Sequence, residues 1–219
     1  MILSVVRAQL RDIYTRLVQV GLSVKQFYPS DVSDPNGSAR IGDLATTAVA
    51  LKDVAYEVIY EELEKHDGYH VKLPDGGLLI FQYVFSDPKS IVKHRLAYFP
   101  SPTLPTIDEA PNLYEHDELY ADILLARLVR FPVRFDFDPR AHRDVIHPQS
   151  HLTLGQFQNC RIPVTSAVMP NTFVLFLLRN FYFRSYLKNK NLFDRRMNMG
   201  KIDRTLTQAE ARIAHFVMN

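Results

Sequence analysis

The chain holds one cysteine, Cys160, in 219 residues. No intrachain disulfide can form, and a reducing compartment is the expectation. Glycine is scarce at 8 and proline stands at 13, which excludes a collagen-like repeat. An excess of either charge is missing as well. With 26 basic and 24 acidic side chains the formal net charge is +2, so no strong whole-molecule field draws a polyanion. Long apolar runs are absent from the sequence: the longest strongly apolar stretch, residues 173–178, stops at Arg179, well short of the roughly 20 residues a bilayer span takes. The apolar opening at residues 1–6 is cut by Arg7, Arg11 and Asp12 before the core of a secretory leader can form. These absences predict a soluble, cytoplasmic protein with no membrane partner.

What is present is a 47% hydrophobic chain with 11% aromatic residues, enough to bury a sizeable core and too apolar for a disordered one. A single domain over residues 1–219 is expected, with a helical part over 1–66, a sheet core over 69–164 and a helical C-terminal part over 171–219. Charge is polarised along it. Residues 108–122 carry Asp108, Glu109, Glu115, Asp117, Glu118 and Asp122 without a cation, whereas residues 179–204 carry eight Lys or Arg against Asp194 and Asp203.

Periodicity predicts the elements. Val6, Leu10, Ile13, Leu17 and Val20 recur at helical spacing up to Gly21. Residues 44–65, rich in Ala, Leu, Glu and Lys, predict one or two further helices. The period then changes to two: residues 69–73 and 78–85 around Pro74-Asp75-Gly76-Gly77 read as a hairpin, with a third strand over 91–99. In residues 129–138, Val129, Phe131, Val133, Phe135 and Phe137 alternate with Arg130, Pro132, Arg134, Asp136 and Asp138, one face apolar and the other charged. Pro132 places this strand at an edge or a bulge. Residues 151–155 and 160–164 predict two short strands. Asn171 or Thr172 is expected to cap a helix through Leu187, and Thr207-Gln208-Ala209-Glu210 matches a capping box opening a terminal helix. The expected fold is α+β, a mostly antiparallel sheet packed by N-terminal and C-terminal helices.

Chemistry concentrates after the charged strand, where His142, His147 and His151 lie within ten residues of one another, just past Asp136 and Asp138. Imidazoles titrate near neutrality and carboxylates orient them, so His147, His151, Asp136 and Asp138 are the candidate catalytic residues. Arg130 and Arg134 on the same face suit a bidentate phosphate, and Arg184, Lys188, Arg195 and Arg196 extend the basic surface. Four readings stay open. Asp and His could ligate a metal, although no His-Glu-x-x-His is present. His151-Leu152-Thr153 matches half of the paired His-x-Thr motif of two-histidine phosphoesterases, and no second copy exists. Arginines and exposed aromatics could form a nucleic-acid platform. The plain alternative is a set of cross-strand ion pairs beside a His-Pro turn.

Three segments together resemble a bacterial family of unassigned function. They are residues 69–83 with their Leu-Pro-Asp-Gly-Gly turn, residues 94–102 (His-Arg-Leu-Ala-Tyr-Phe-Pro-Ser-Pro), and residues 134–164. The last holds Arg-Phe-Asp-Phe-Asp-Pro, His-Pro-Gln-Ser-His-Leu-Thr-Leu-Gly and Cys-Arg-Ile-Pro-Val. The resemblance implies a setting in antiviral defence or mobile-element loci and no particular chemistry. The expected function is therefore that of a component of a defence or toxin–antitoxin type module within a multi-component complex, engaging nucleic acid or a partner protein without a cofactor. A phosphodiesterase or ribonuclease working through His147 and His151 is the alternative.

Overall fold

The structure is a computed structural model and describes residues 1–42, 54–103, 131–157 and 159–218. Helix α1 (Ile2–Gln19) buries Val6, Leu10, Ile13 and Leu17 along one stripe. It ends where Gly21, at φ +73°, lets Leu22 N–H reach the Leu17 carbonyl and its own N–H the Val18 carbonyl, the paired bonds of a Schellman motif. Three short strands follow: β1 (Lys25–Gln26), β2 (Asp31–Ser33) and β3 (Ala39–Ile41). Helix α2 (Tyr56–Lys65) leads into β4 (Val71–Lys72), β5 (Leu78–Asp87) and β6 (Ser90–Phe99). The β4–β5 turn uses Gly76 at φ +83° and closes with Leu73 N–H on the Gly77 carbonyl at 2.7 Å. Strands β7 (Val133–Phe137), β8 (Ser150–Leu154) and β9 (Ile162–Pro163) complete the sheet. Helices α3 (Pro170–Phe181), α4 (Phe183–Lys188) and α5 (Lys190–Phe193) finish the regular structure apart from 3-10 turns.

Among the described residues the strands form one sheet in the order β1-β4-β5-β6-β7-β8-β9, with β2-β3 joined to β5, and every pairing is antiparallel. The fold is α+β. Alternation sorts the side chains onto two faces. One face presents Phe81, Tyr83, Leu96, Tyr98, Val133, Phe135 and Leu152 to α1 and the α3–α5 layer. Phe135 is fully buried there, edge-on to Phe173 at 6.1 Å and to Phe176 at 5.3 Å. The other face presents Leu78, Ile80, Ala97 and Phe99 to Ile59, Tyr60 and Leu63 of α2. Beyond α2 that second face turns polar.

Several local expectations change. Strand β7 is central, between β6 and β8, because Pro132 precedes its first residue and does not interrupt it; the Pro132 carbonyl still accepts from Gly155 N–H at 2.7 Å. Val129 and Arg130 lie outside the described residues, as do the acidic stretch 108–122 and residues 44–53 of the expected helical stretch 44–65. The expected helix through Leu187 breaks at Tyr182, whose hydroxyl is drawn inward to Asp75 at 2.7 Å and Tyr98 at 2.9 Å, and it starts at Pro170 rather than at an Asn or Thr cap. The capping box forms, with Thr207 N–H on Glu210 Oε2 at 3.0 Å and Glu210 N–H on Thr207 Oγ1 at 3.2 Å. It opens only a 3-10 turn, Glu210–Arg212, since the chain then runs extended so that Phe216 pairs with Pro163 and Thr165. Strands β1–β3 fall inside the part read as helical.

Candidate functional site

On the polar half of the second face, strand register gathers residues distant in sequence. Arg95 of β6 stands opposite Asp136 of β7, and Asp136 opposite His151 of β8. Gln82 of β5 extends this row, and Arg134 lies one step along it between Ala97 and Thr153. Arg95 Nε donates to Asp136 Oδ1 at 2.7 Å, while Arg134 Nε stands 3.7 Å from Asp136 Oδ2. That second separation is too long for a hydrogen bond, and the buried Arg134 Nε has no hydrogen-bond partner.

The loop from β7 to β8 brings in a second imidazole. Asp138 caps the 3-10 turn Pro139–Ala141 by accepting from Arg140 N–H at 3.2 Å. Arg143 and His147 then exchange two backbone hydrogen bonds, of 3.0 and 2.7 Å, across a turn in which Val145 takes φ +65°. This reversal lays the His147 ring edge-to-face on His151, centroids 4.8 Å apart. The His151 Nδ1 sits 3.0 Å from the Pro148 carbonyl. A carbonyl only accepts, so its neighbour assigns the proton to Nδ1 and the lone pair to Nε2. The buried His147 Nδ1 has no hydrogen-bond partner.

Charge in the cluster is unevenly balanced. Burial alone would push the Asp136 carboxyl up, but Arg95 and Arg134 outweigh it and hold Asp136 below the ordinary carboxylate range. Burial pulls the Arg134 guanidinium down; Asp136 opposes this, and Arg95 and Arg161 reinforce it. Burial likewise lowers His151, partly offset by Asp136, and lowers His147, where Arg161 adds to the effect. At neutral pH both imidazoles are therefore uncharged, and Asp136 is shared by two guanidinium groups. A buried cation without a full counter-charge is costly, by several kcal/mol in order of magnitude, unless a ligand supplies the balance.

Of the expected site residues, the structure brings together Arg134, Asp136, His147 and His151. Asp138 is engaged elsewhere, by Lys93 at 3.0 Å and by its cap. His142 turns away to Glu210. Arg184 and Lys188 belong to α4, and Arg195 and Arg196 follow α5, in the helical layer against the opposite face of the sheet; all four are exposed. Arg130 lies outside the described residues. Cys160 accepts from Leu154 N–H through Sγ at 3.4 Å, a structural role. For the open reading of metal ligation by Asp and His, the set of three groups close enough to share an ion among the described residues is His142, Asp144 and Glu210. Sequence reasoning missed Arg95 and Arg161. Arg95 closes the Lys93-His94-Arg95 run in the middle of β6, and only the β6–β7 register shows its partner.

The family profile described as "Uncharacterized conserved protein (DUF2290)" matches residues 22–218. No curated protein and no solved structure matches the chain.

Proposed function

The chain belongs to the DUF2290 family of uncharacterized conserved proteins, and we propose that this member engages nucleic acid by taking a backbone phosphate into the Arg134–His147–His151 cluster. One observation carries the reading. Two buried polar nitrogens, Arg134 Nε and His147 Nδ1, lack partners beside a carboxylate shared by two guanidinium groups, and a phosphate supplies both the acceptor oxygens and the missing negative charge. Phe157, 74% exposed, and Phe131, 37% exposed, crowd the same side of Gly155 at the end of β8 and offer ring faces on which bases can stack. The bacterial defence setting, the cytoplasmic location and the multi-component assembly belong to this same proposal.

Phosphodiester cleavage is a second reading, favoured by the His147–His151 contact and by the lone pair assigned to His151 Nε2. In-line displacement puts attacking and leaving oxygens on opposite sides of phosphorus. Two rings touching at 4.8 Å approach from one side, so the pair fits binding better than acid–base catalysis from both ends.

Labelled single-stranded RNA and DNA oligonucleotides, titrated at rising salt with and without a chelator, test both readings. Expected are affinity that falls as salt rises, a loss of about tenfold or more in Arg134→Gln and in the milder His147→Gln, and intact oligonucleotide afterwards. Cleavage abolished by His151→Ala would establish the second reading in place of the first. Binding that is absent, or equal in all variants, would remove both.

A further inference from the structure

His142, Asp144 and Glu210 each bring a ligand atom to within 4.8 Å of the others, a set that shares no residue with the Arg134–His147–His151 cluster. We infer that these three hold a divalent transition-metal ion that clamps the C-terminal segment to the β7–β8 loop. The inference stands whether or not the cluster binds nucleic acid.

An imidazole nitrogen with two carboxylates is a donor set suited to zinc and its neighbours. Glu210 is only 1% exposed, and its Oε1 faces His142 Nε2 at 3.4 Å. A carboxylate so enclosed calls for positive charge beside it, which a divalent ion supplies. The outer contacts already orient the ligands. Thr207 N–H holds Glu210 Oε2 at 3.0 Å, and the Thr207 hydroxyl donates to Asp144 Oδ1, the kind of support that fixes ligating groups. Tetrahedral bonds of about 2.1 Å place donors roughly 3.4 Å apart. Closing from 4.8 Å falls to Asp144, the exposed member of the three.

The ion would also act on the neighbouring loop. His142 and Asp144 flank Arg143, whose backbone exchanges two hydrogen bonds with His147. Gripping both sides of Arg143 stiffens the turn that lays His147 on His151.

The test uses untagged full-length protein, stripped with a chelator, dialysed and titrated with zinc chloride by calorimetry and by thermal unfolding. Expected is one saturable zinc per chain and a rise of a few degrees in the unfolding midpoint. In His142→Ala, a partly exposed position, affinity falls on the order of 100-fold and the midpoint no longer moves. Asp144→Asn, on an exposed side chain, weakens binding in the same direction, and His147→Ala leaves it unchanged. No saturable zinc in the wild type, equal binding in His142→Ala, or zinc lost in His147→Ala but kept in His142→Ala would each overturn the inference.

Discussion

Lowering the pH from 7 to 4 is expected to cost the folded protein about 5 kcal/mol, a loss comparable to the whole stability of many domains. The larger cause, His94, lies on the other face of the sheet from the candidate site, close enough for Asp136 and His151 to act on it. His94 is 1% exposed, and its Nε2 accepts the Val168 N–H at 2.8 Å between the rings of Tyr83 and Phe137. Burial lowers its pKa to about 3. His70 accepts the Phe81 N–H through Nδ1 at 2.9 Å, and burial lowers it to about 4. In the unfolded chain an imidazole titrates near about 6.5. Below that pH the unfolded state binds more protons than the folded one, so stability is full above pH 6.5 and drains away as pH falls toward 4 and 3. His94 alone accounts for about 3 kcal/mol at pH 4, at about 1.4 kcal/mol per pH unit, and His70, less completely buried, adds a smaller share. Urea unfolding at pH 7, 6, 5 and 4 measures this directly. His94→Gln keeps a carbonyl acceptor for Val168 and is expected to flatten the slope by about half. An unchanged slope would show that His94 is not the buried neutral base described here.

Replacing Asp136 by Asn is expected to destabilise the protein by about 3–5 kcal/mol at pH 7, because Arg95 and Arg134 are left in a low-dielectric site without their shared carboxylate. Ordinary loss of one exposed ion pair would cost about 1 kcal/mol or less. The side chains of Arg95, Arg134 and Asp136 are all exposed by 15% or less, so the buried figure applies. A double variant that also converts Arg134 to Met removes one stranded cation and is expected to recover part of the loss, a coupling that a double-mutant cycle measures. The same substitution has an opposite effect on ligand affinity. With the competing carboxylate gone, inorganic phosphate should raise the unfolding midpoint of Asp136→Asn more than that of the wild type. A phosphate effect equal in both proteins, or a loss under 1 kcal/mol, would contradict the charge balance assigned to this face.

How much of this could be read from residue order depends on whether the cause is local. The α1 stripe, the Pro74–Gly77 turn and the alternation in β7 are local, and each appears where periodicity places it. Pro132 misled because its restriction bears on a strand interior, and the strand begins one residue later. Tyr182 breaks the C-terminal helix through hydroxyl contacts with Asp75 and Tyr98, more than 80 positions away. The candidate site divides similarly. Asp136, His147 and His151 are close in sequence and the loop keeps them close, whereas Arg95 joins through register alone. The basic residues of α4 and beyond share composition with Arg134 but pack in the opposite layer, since their helices bury Tyr182, Tyr186 and Phe193 against the other face.

The central claim, that a phosphate binds in the cluster of Arg134, Asp136, His147 and His151, is tested most directly by following the ring C–H resonances of His147 and His151 during titration with a short single-stranded oligonucleotide. Both rings should shift together and saturably, with their pKa values rising from below the ordinary imidazole value as the bound anion favours protonation. Shifts confined to Arg184, Lys188, Arg195 and Arg196 with both imidazoles unmoved would contradict the account and place any contact on the opposite layer.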